Sequence, residues 1–149
     1  SSLALAQLPC MGFALFKELP SDPLPAVAPQ QDAFAAVIGG VDVDVGAGQR
    51  AKIVNNALMA ANMGLADAAL RAGEELGMDK AALAELIKGS SGRSFGFEVR
   101  ARIPQPTAFA HGAALLAKDV NLLKSTLPDA DSAEALRVAA DPFLKAATA

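Results

Sequence analysis

The chain has 149 residues, of which 52% are hydrophobic and 5% aromatic, and its formal net charge is -3. This length is enough for one domain with a hydrophobic core, or for one domain with part of another. A nucleic-acid partner is not expected, because residues 1–46 carry one basic and five acidic side chains and residues 47–149 carry twelve and eleven.

The start of the chain does not have the pattern of a targeting segment. Residues 1–16 are apolar, but they lack a basic start and include Pro9 and Gly12, which argues against a signal peptide. No apolar run reaches the roughly 18 residues that a membrane helix needs. The single cysteine, Cys10, excludes an intrachain disulfide and a cysteine metal cluster. We therefore expect a soluble protein without a bound metal, in the cytoplasm or an organelle matrix.

Residues 1–46 combine loop, helix and strand patterns. Prolines at positions 20, 23, 25 and 29 favour loops. Residues 31–37 favour a short helix, and residues 41–45 alternate Val and Asp, which is typical of a half-exposed strand. The chain contains no Gly-x-Gly-x-x-Gly fingerprint with an acidic residue downstream, the usual pyrophosphate-binding motif of a dinucleotide domain.

A long helix is predicted after Gly46. The stretch from there to Gly77 contains no proline and many strong helix formers. Two apolar stripes run along it, and a helix that is apolar on more than one side is expected to be buried among neighbours. The first stripe comprises Ile53, Ala57, Ala60, Ala61, Gly64 and Ala68, and the second comprises Leu58, Leu65, Ala69, Ala72 and Leu76.

Polar residues interrupt the start of this helix. Lys52 and Asn56 are four residues apart and therefore share one face. They follow a glycine-rich corner, where a helix N-terminus favours anions. The pair is either an ordinary solvated first turn or one side of a ligand site.

Four further helices are predicted, each with its own end signals. Asp79 is a good N-cap and Gly89 a good C-terminal stop. Pro128 and two aspartates precede the last helix, and Pro142 is expected to kink or restart it. The predicted helices cover residues 80–88, 95–102, 112–125 and 133–147.

The turn from Gly89 to Ser94 is rich in hydrogen-bonding groups. Ser90, Ser91 and Arg93 could form a cradle for a carboxylate, or the segment could be a polar turn between helices. The basic residues of this region most often form a solvated face, the alternative being contact with a nucleotide phosphate or a partner subunit. The single histidine, His111, has no companion at metal-ligand spacing and is read as structural or exposed.

The string GAGQRAKIVNN resembles the interdomain-helix motif of the β-hydroxyacid dehydrogenases, the family of 3-hydroxyisobutyrate dehydrogenase and tartronate semialdehyde reductase. That motif reads Gly-x-Gly-x-x-x-Lys-x-x-x-Asn, and Gly46, Gly48, Lys52 and Asn56 occupy its positions. The strings GSSGRS and LLAKDVNLL follow in the family's order.

The resemblance implies roles for individual residues. Lys52 would be the catalytic acid/base, Asn56 a substrate-binding residue, and Lys118 would approach the nicotinamide end of NAD or NADP. The serine-rich turn would bring Ser90 and Ser91 near the substrate. The resemblance assigns no such role to Asp119, which we expect to hold Lys118 or a helix end in place, the alternative being an ordinary surface ion pair between the two. Burial in an apolar cleft favours the neutral form of a lysine, and Ile53, Met59 and Met63 are candidate apolar neighbours for Lys52.

The resemblance also implies the architecture. The fold would be mainly α, a helical bundle similar to the C-terminal domain of 6-phosphogluconate dehydrogenase-like proteins, with a short N-terminal α/β remnant of a Rossmann domain. Residues 1–46 would be the tail end of a dinucleotide-binding domain. Residues 47–149 would be an all-helical substrate-binding and dimerisation domain that forms a homo-oligomer.

The implied activity is NAD(P)-dependent oxidation of a small 3-hydroxy acid to the semialdehyde, or the reverse. Because the dinucleotide fingerprint is missing, the chain would be part of a longer enzyme, or a homologue that lost its cofactor half, and would be inactive alone. Two alternatives stay open: a cofactor-free helical oligomerisation domain, and an unrelated helical binding protein.

Overall fold

The computed structural model describes residues 47–149, and these form a helical bundle. The predicted mainly α fold is confirmed, and no strand occurs within this range. The short helix and the strand predicted before residue 46 lie outside the described residues. The elements are α1 (Ala47–Glu75), α2 (Lys80–Lys88), α3 (Phe95–Arg102), a 3-10 turn (Pro106–Phe109), α4 (Ala110–Thr126) and α5 (Asp131–Thr148).

The helix ends follow from local hydrogen bonds. The Asp79 carboxylate accepts from the backbone N–H of Ala82 at 2.8 Å, which begins α2 as predicted. The Ser94 hydroxyl accepts from the backbone N–H of Phe97 at 2.9 Å and begins α3. Gly77 turns the chain after α1 with φ of 79°, a conformation that favours glycine.

The main core lies where α1, α4 and α5 pack together. Phe143 on α5 is fully buried, and its ring lies 6.3 Å from that of Phe109, centroid to centroid. A smaller cluster joins α1 to α2 and α3 through Leu70, Ala84 and Phe97. None of the helices between residues 47 and 149 has both the length and the apolar character needed to cross a membrane. The buried residues of the main core are Ile53, Ala57, Ala60, Met63, Ala113, Val120, Leu123, Ala133, Ala140, Phe143, Leu144 and Ala147.

Helix α1 comes very close to α5 at Gly64. A Cβ atom at this position would overlap the backbone oxygen of Ala139 and would lie 3.3 Å from the Cα atom of Ala140. Backbone atoms cannot move aside as a flexible side chain can. The absence of a side chain at position 64 therefore sets the separation of the two longest helices.

We predict that Gly64→Ala destabilises the fold by about 1–3 kcal/mol, because overpacking outweighs the better helix propensity of alanine. The matched control is Gly92→Ala, where the new Cβ would meet only the Cγ2 atom of Ile87 at an ordinary 3.6 Å. Urea denaturation of both variants measures the difference. Equal stabilities would show that α1 and α5 can separate without cost.

Only one of the two predicted apolar stripes of α1 is buried. Ile53, Ala57, Ala60, Ala61 and Gly64 of the first stripe are buried, whereas Ala68 is exposed. The prediction for the second stripe is wrong within the described structure, because the other helices cover only one side of α1. Its members are exposed: Leu58 (50%), Leu65 (58%), Leu76 (76%), Ala69 and Ala72.

Helix α3 is fixed to α1 by a buried ion pair. Arg100 is 3% exposed and holds Oδ1 of Asp67 through Nη2 at 2.7 Å and through Nε at 2.8 Å. It also donates from Nη1 to the backbone oxygen of Ile103 at 2.9 Å. Arg100 is therefore a structural residue, and the prediction of a solvated basic face is wrong for it. Arg102 is exposed, as that prediction required.

Helix α5 runs without interruption through Pro142, so of the two predicted outcomes, a kink or a restart, the restart does not occur. The first turns of α5 carry a cluster of ion pairs that also includes Lys124 of α4. Hydrogen bonds from Arg137 and Lys124 hold the pKa of Glu134 at about 2, below its usual value. The cluster supports the contact between α4 and α5.

Candidate functional site

The candidate site is organised by a hydrogen bond between α1 and α4. The Asn56 side chain donates from Nδ2 to Oδ2 of Asp119 at 2.6 Å. Asp119 is only 8% exposed, so this bond lies at the edge of the core. It connects two segments that are 63 residues apart in sequence. The structure thus brings together the helix of the Lys52–Asn56 pair and the helix of Lys118.

A groove opens beside Asn56 along the contact between α1 and α3. Its volume is about 390 Å³. Gly96 of α3 lies so close to α1 that a Cβ atom added to it would be only 2.7 Å from the Cβ atom of Asn62. The groove combines three carboxamides with apolar side chains and contains no ionisable residue. Its lining consists of Asn55, Asn56, Leu58, Met59, Asn62, Phe95 and Gly96.

Asn55 contributes to the polar edge of this groove. It donates from Nδ2 to Oδ1 of Asn56 at 3.3 Å. The Asn56 carboxamide therefore has a partner on each side, Asp119 at its nitrogen and Asn55 at its oxygen. Sequence reasoning gave Asn55 no role, although it is adjacent to Asn56.

Both candidate lysines are exposed. Lys52 lies one turn before Asn56 on α1, and Lys118 directly precedes Asp119 on α4. The apolar neighbours predicted for Lys52 belong to the main core instead. Ile53 and Met63 are buried in it, and Met59 packs against it. Within this chain Lys52 is therefore not covered by them, contrary to expectation.

The role predicted for Asp119 needs correction. Its Oδ2 atom accepts from Asn56, so the carboxylate holds a side chain on α1 rather than Lys118 or a helix end. The sequence carried no indication of this pairing, because only the packing of α4 against α1 places residues 56 and 119 side by side.

The serine-rich turn lies between α2 and α3, away from the Asn56 groove. Ser90 donates its hydroxyl hydrogen to the backbone oxygen of Leu86 at 2.7 Å, and this bond gives a partner to a carbonyl group in the last turn of α2. Ser91 is exposed. Neither serine is among the residues that line the Asn56 groove. The turn instead reaches a second groove of about 300 Å³ through Gly92, Arg93 and Ser94, and Asn62 lines both grooves.

The described part of the chain contains no cluster of side chains suited to bind a metal ion. His111 is exposed, one of the two environments expected for it. Between residues 47 and 149 there is no group of three or more histidine, cysteine, aspartate or glutamate side chains that could hold a metal ion.

Comparison with known proteins identifies the family. Residues 46–149 match the family described as "NAD-binding of NADP-dependent 3-hydroxyisobutyrate dehydrogenase". The chain belongs to this family. The family resemblance inferred from GAGQRAKIVNN is thereby confirmed, and so is NAD or NADP as the cofactor class of the family.

A curated relative within this dehydrogenase group is the mitochondrial 3-hydroxyisobutyrate dehydrogenase of Pongo abelii. The two sequences are 36% identical over 91 residues, which cover 55% of this chain and 27% of the relative. The chain thus spans about a quarter of the length of the curated dehydrogenase that it matches. No solved structure matches the chain significantly.

Proposed function

We propose that residues 47–149 are the helical substrate-binding and dimerisation domain of an NAD(P)-dependent 3-hydroxyacid dehydrogenase. The proposed reaction is the oxidation of a small 3-hydroxy acid to the semialdehyde, or the reverse. The observation that carries this proposal is the hydrogen bond from Asn56 to Asp119, because it joins the two motif-bearing helices beside the groove that Asn56 lines. Residues 1–46 are proposed as the tail end of the dinucleotide-binding domain.

Lys52 is the proposed acid/base. In the oxidation, its neutral amine takes the hydroxyl proton of the substrate while the hydride leaves the same carbon, and a carbonyl forms. In the reduction, its ammonium donates that proton back to the carbonyl oxygen. Because Lys52 is exposed in this chain, the apolar cover that favours the neutral amine is proposed to come from the dinucleotide-binding domain.

The exposed charges at the site fit an anionic cofactor. Lys52 and Lys118 both have exposed side chains on the helices joined at Asn56, whereas the Asp119 carboxylate is buried and bonded to Asn56. A ligand that approaches this surface therefore meets the positive charges of the lysines and not the negative charge of Asp119. When bound, the nicotinamide accepts or supplies the hydride. Lys118 is the residue proposed to approach it.

The remaining proposed substrate contacts are Asn56, Ser90 and Ser91. Ser90 uses its hydroxyl hydrogen within α2, so it can offer only its oxygen lone pairs to a ligand. Ser91 is exposed and can offer both a donor and an acceptor. The serine turn is thus the more distant part of the proposed site, beyond Asn62.

The exposed apolar stripe of α1 favours assembly as well. Leu58, Leu65 and Leu76 are each at least half exposed, and such surfaces mark protein contacts. We propose a homo-oligomer that uses this domain. The second candidate function, a helical assembly domain without catalysis, rests on the same stripe.

The discriminating experiment measures turnover by the full-length protein. NAD and NADP are each supplied with 3-hydroxyisobutyrate and related 3-hydroxy acids, and reduced cofactor is followed by its absorbance. We expect turnover by the full-length protein and none by the 149-residue chain. Failure of the full-length protein to reduce either cofactor with any of these acids would leave assembly as the remaining function. The proposed location is the cytoplasm or an organelle matrix.

A further inference from the structure

We propose that two copies of this protein pair through α1, with the two helices antiparallel and Leu65 of each copy against Ala69 of the partner subunit. The pairing rests on the proposed function, of which the homo-oligomer is a part. It adds the surface that pairs, the direction of the two helices and the residues that meet.

The pairing surface is a row of residues on the exposed side of α1, here called the α1 seam. Its three leucines are each at least half exposed. Arg71 is the only exposed charged residue of α1 between positions 53 and 73. An apolar surface of this length marks a contact with another protein surface. The seam comprises Leu58, Asn62, Leu65, Ala69, Ala72 and Leu76.

The spacing of the seam fits one partner helix. Its members follow one another at intervals of four, three, four, three and four residues. This is the heptad spacing by which one helix packs along a second helix at a small crossing angle. A helix face that packs against several elements is wider. The seam therefore indicates a single helix as its occupant.

The seam is a ridge with a groove on each side. Leu65 lines both the groove of about 300 Å³ on the side of α3 and a groove of about 540 Å³ on the side of α5. The second groove is mainly apolar, and Val138 in its wall is 55% exposed. Side chains that flank the partner helix can enter these grooves, so the contact extends beyond the seam itself.

The charges along α1 favour antiparallel helices. From position 47 to position 66, α1 has two basic residues, Arg50 and Lys52, and no acidic one. Its last turn carries Glu74 and Glu75, and Lys80 pairs with only Glu74, at 3.9 Å. In an antiparallel pair, the basic end of each helix lies near the acidic end of the other, and the helix dipoles are opposed. Parallel helices would bring like charges together. This complementarity makes a second copy of α1 the occupant of the seam.

The sizes of the seam residues favour one register. With position 67 at the twofold axis, Leu58 meets Leu76 of the partner subunit, Asn62 meets Ala72 of the partner subunit, and Leu65 meets Ala69 of the partner subunit. Large residues then face small ones at the centre, as packed helices require. The amide of Asn62 keeps access to the two grooves that it lines. A shift by one heptad would either press this amide against a leucine, which is costly, or leave Leu58 without a seam partner.

This register also brings the partner subunit to the candidate site. Leu58 lines the groove beside Asn56, so Leu76 of the partner subunit covers the edge of that groove which Leu58 forms. Asn56 is bonded to α4 and neither it nor Lys52 belongs to the seam, so the pairing leaves their side of α1 open.

Disulfide trapping in the full-length protein tests the direction and the register. All native cysteines, Cys10 among them, are first replaced by serine, and Leu58→Cys and Leu76→Cys are co-expressed as two differently tagged copies. We expect a disulfide between the two variants and none from either variant alone, because two copies of position 58 would lie about 27 Å apart along the antiparallel helices. A disulfide between two copies of Leu58→Cys would show parallel helices and overturn the proposal. So would the absence of any disulfide.

A charge at the centre of the seam tests whether the full-length protein associates through it. Leu65 is 58% exposed, so Leu65→Glu places its carboxylate outside the core. We expect the mass in solution, measured by light scattering, to fall by half. The control Leu127→Glu adds the same charge at an exposed leucine after α4 and should leave the mass unchanged. An unchanged mass in Leu65→Glu would overturn the proposal. If a cysteine at position 58 also resists a maleimide, the protein's own dinucleotide-binding domain covers the seam instead.

Neither measurement depends on turnover, so the pairing and the enzymatic activity can fail separately. If the expected disulfide forms but no 3-hydroxy acid is turned over, the activity fails and the pairing is upheld. If turnover is found but the disulfide does not form, the pairing fails and the activity is upheld.

Discussion

Replacing Lys52 with alanine is expected to lower kcat of the full-length protein by about 10²–10⁴-fold, the usual contribution of a general acid or base. Affinity for NAD or NADP should change little, because Lys52 is proposed to act on the substrate hydroxyl. Steady-state kinetics measure kcat, and a fluorescence titration measures cofactor affinity.

Two further variants distinguish proton transfer from charge. Lys52→Arg keeps the positive charge but cannot release a proton, so it should be as impaired as Lys52→Ala. Lys145→Ala removes a lysine that is 77% exposed and pairs with Asp141 at 2.7 Å on α5, and it should leave kcat unchanged. Substantial activity in Lys52→Arg would assign Lys52 an electrostatic role only. Unchanged kcat in Lys52→Ala would remove it from catalysis.

The helices could be predicted from the sequence because their determinants are local. Asp79 and Gly89 bound α2, and the structure begins and ends that helix beside them. The proline-free stretch after Gly46 became α1, from Ala47 to Glu75. Of the two outcomes predicted for Pro142, a kink or a restart, the restart does not occur, because α5 continues through this residue.

Packing between helices could not be predicted in the same way. Both stripes of α1 have the apolar spacing of a buried face, but α2 to α5 cover only the one that contains Ile53. Arg100 looked like part of a solvated surface, since nothing in the sequence relates it to Asp67, 33 residues earlier. Its burial depends on how α3 lies against α1.

In the candidate site, too, local motifs could be predicted from the sequence, whereas contacts between helices could not. The motif positions of Lys52, Asn56 and Lys118 could be identified in the sequence through family resemblance. The bond from Asn56 to Asp119 and the groove at Gly96 depend on contacts between distant segments. Packing also changed the expectation for Ser90. Its hydroxyl was expected to be available to a substrate, but it donates to the backbone oxygen of Leu86.

The largest stability effect is expected from Asp67→Ala. This change leaves the Arg100 guanidinium, 3% exposed, without its carboxylate, and such uncompensated buried charges cost about 3–5 kcal/mol. The remaining hydrogen bond from the Arg100 guanidinium to the backbone oxygen of Ile103 does not neutralise the charge, and neither does the Phe143 ring, whose centroid lies 5.9 Å from the guanidinium. Urea denaturation measures the free energy of unfolding.

The matched control is Arg71→Ala, which removes the other partner of Asp67. Arg71 is 60% exposed and its bond to Oδ2 of Asp67 is 3.2 Å long, so its loss should cost no more than about 0.5–1 kcal/mol. Combining Asp67→Ala with Arg100→Leu should recover part of the stability lost in Asp67→Ala, because the buried charge is then gone. If Asp67→Ala and Arg71→Ala destabilise equally, the inner ion pair does not hold α3. If they differ as expected, the pair maintains the approach of Gly96 to α1, and with it the groove beside Asn56.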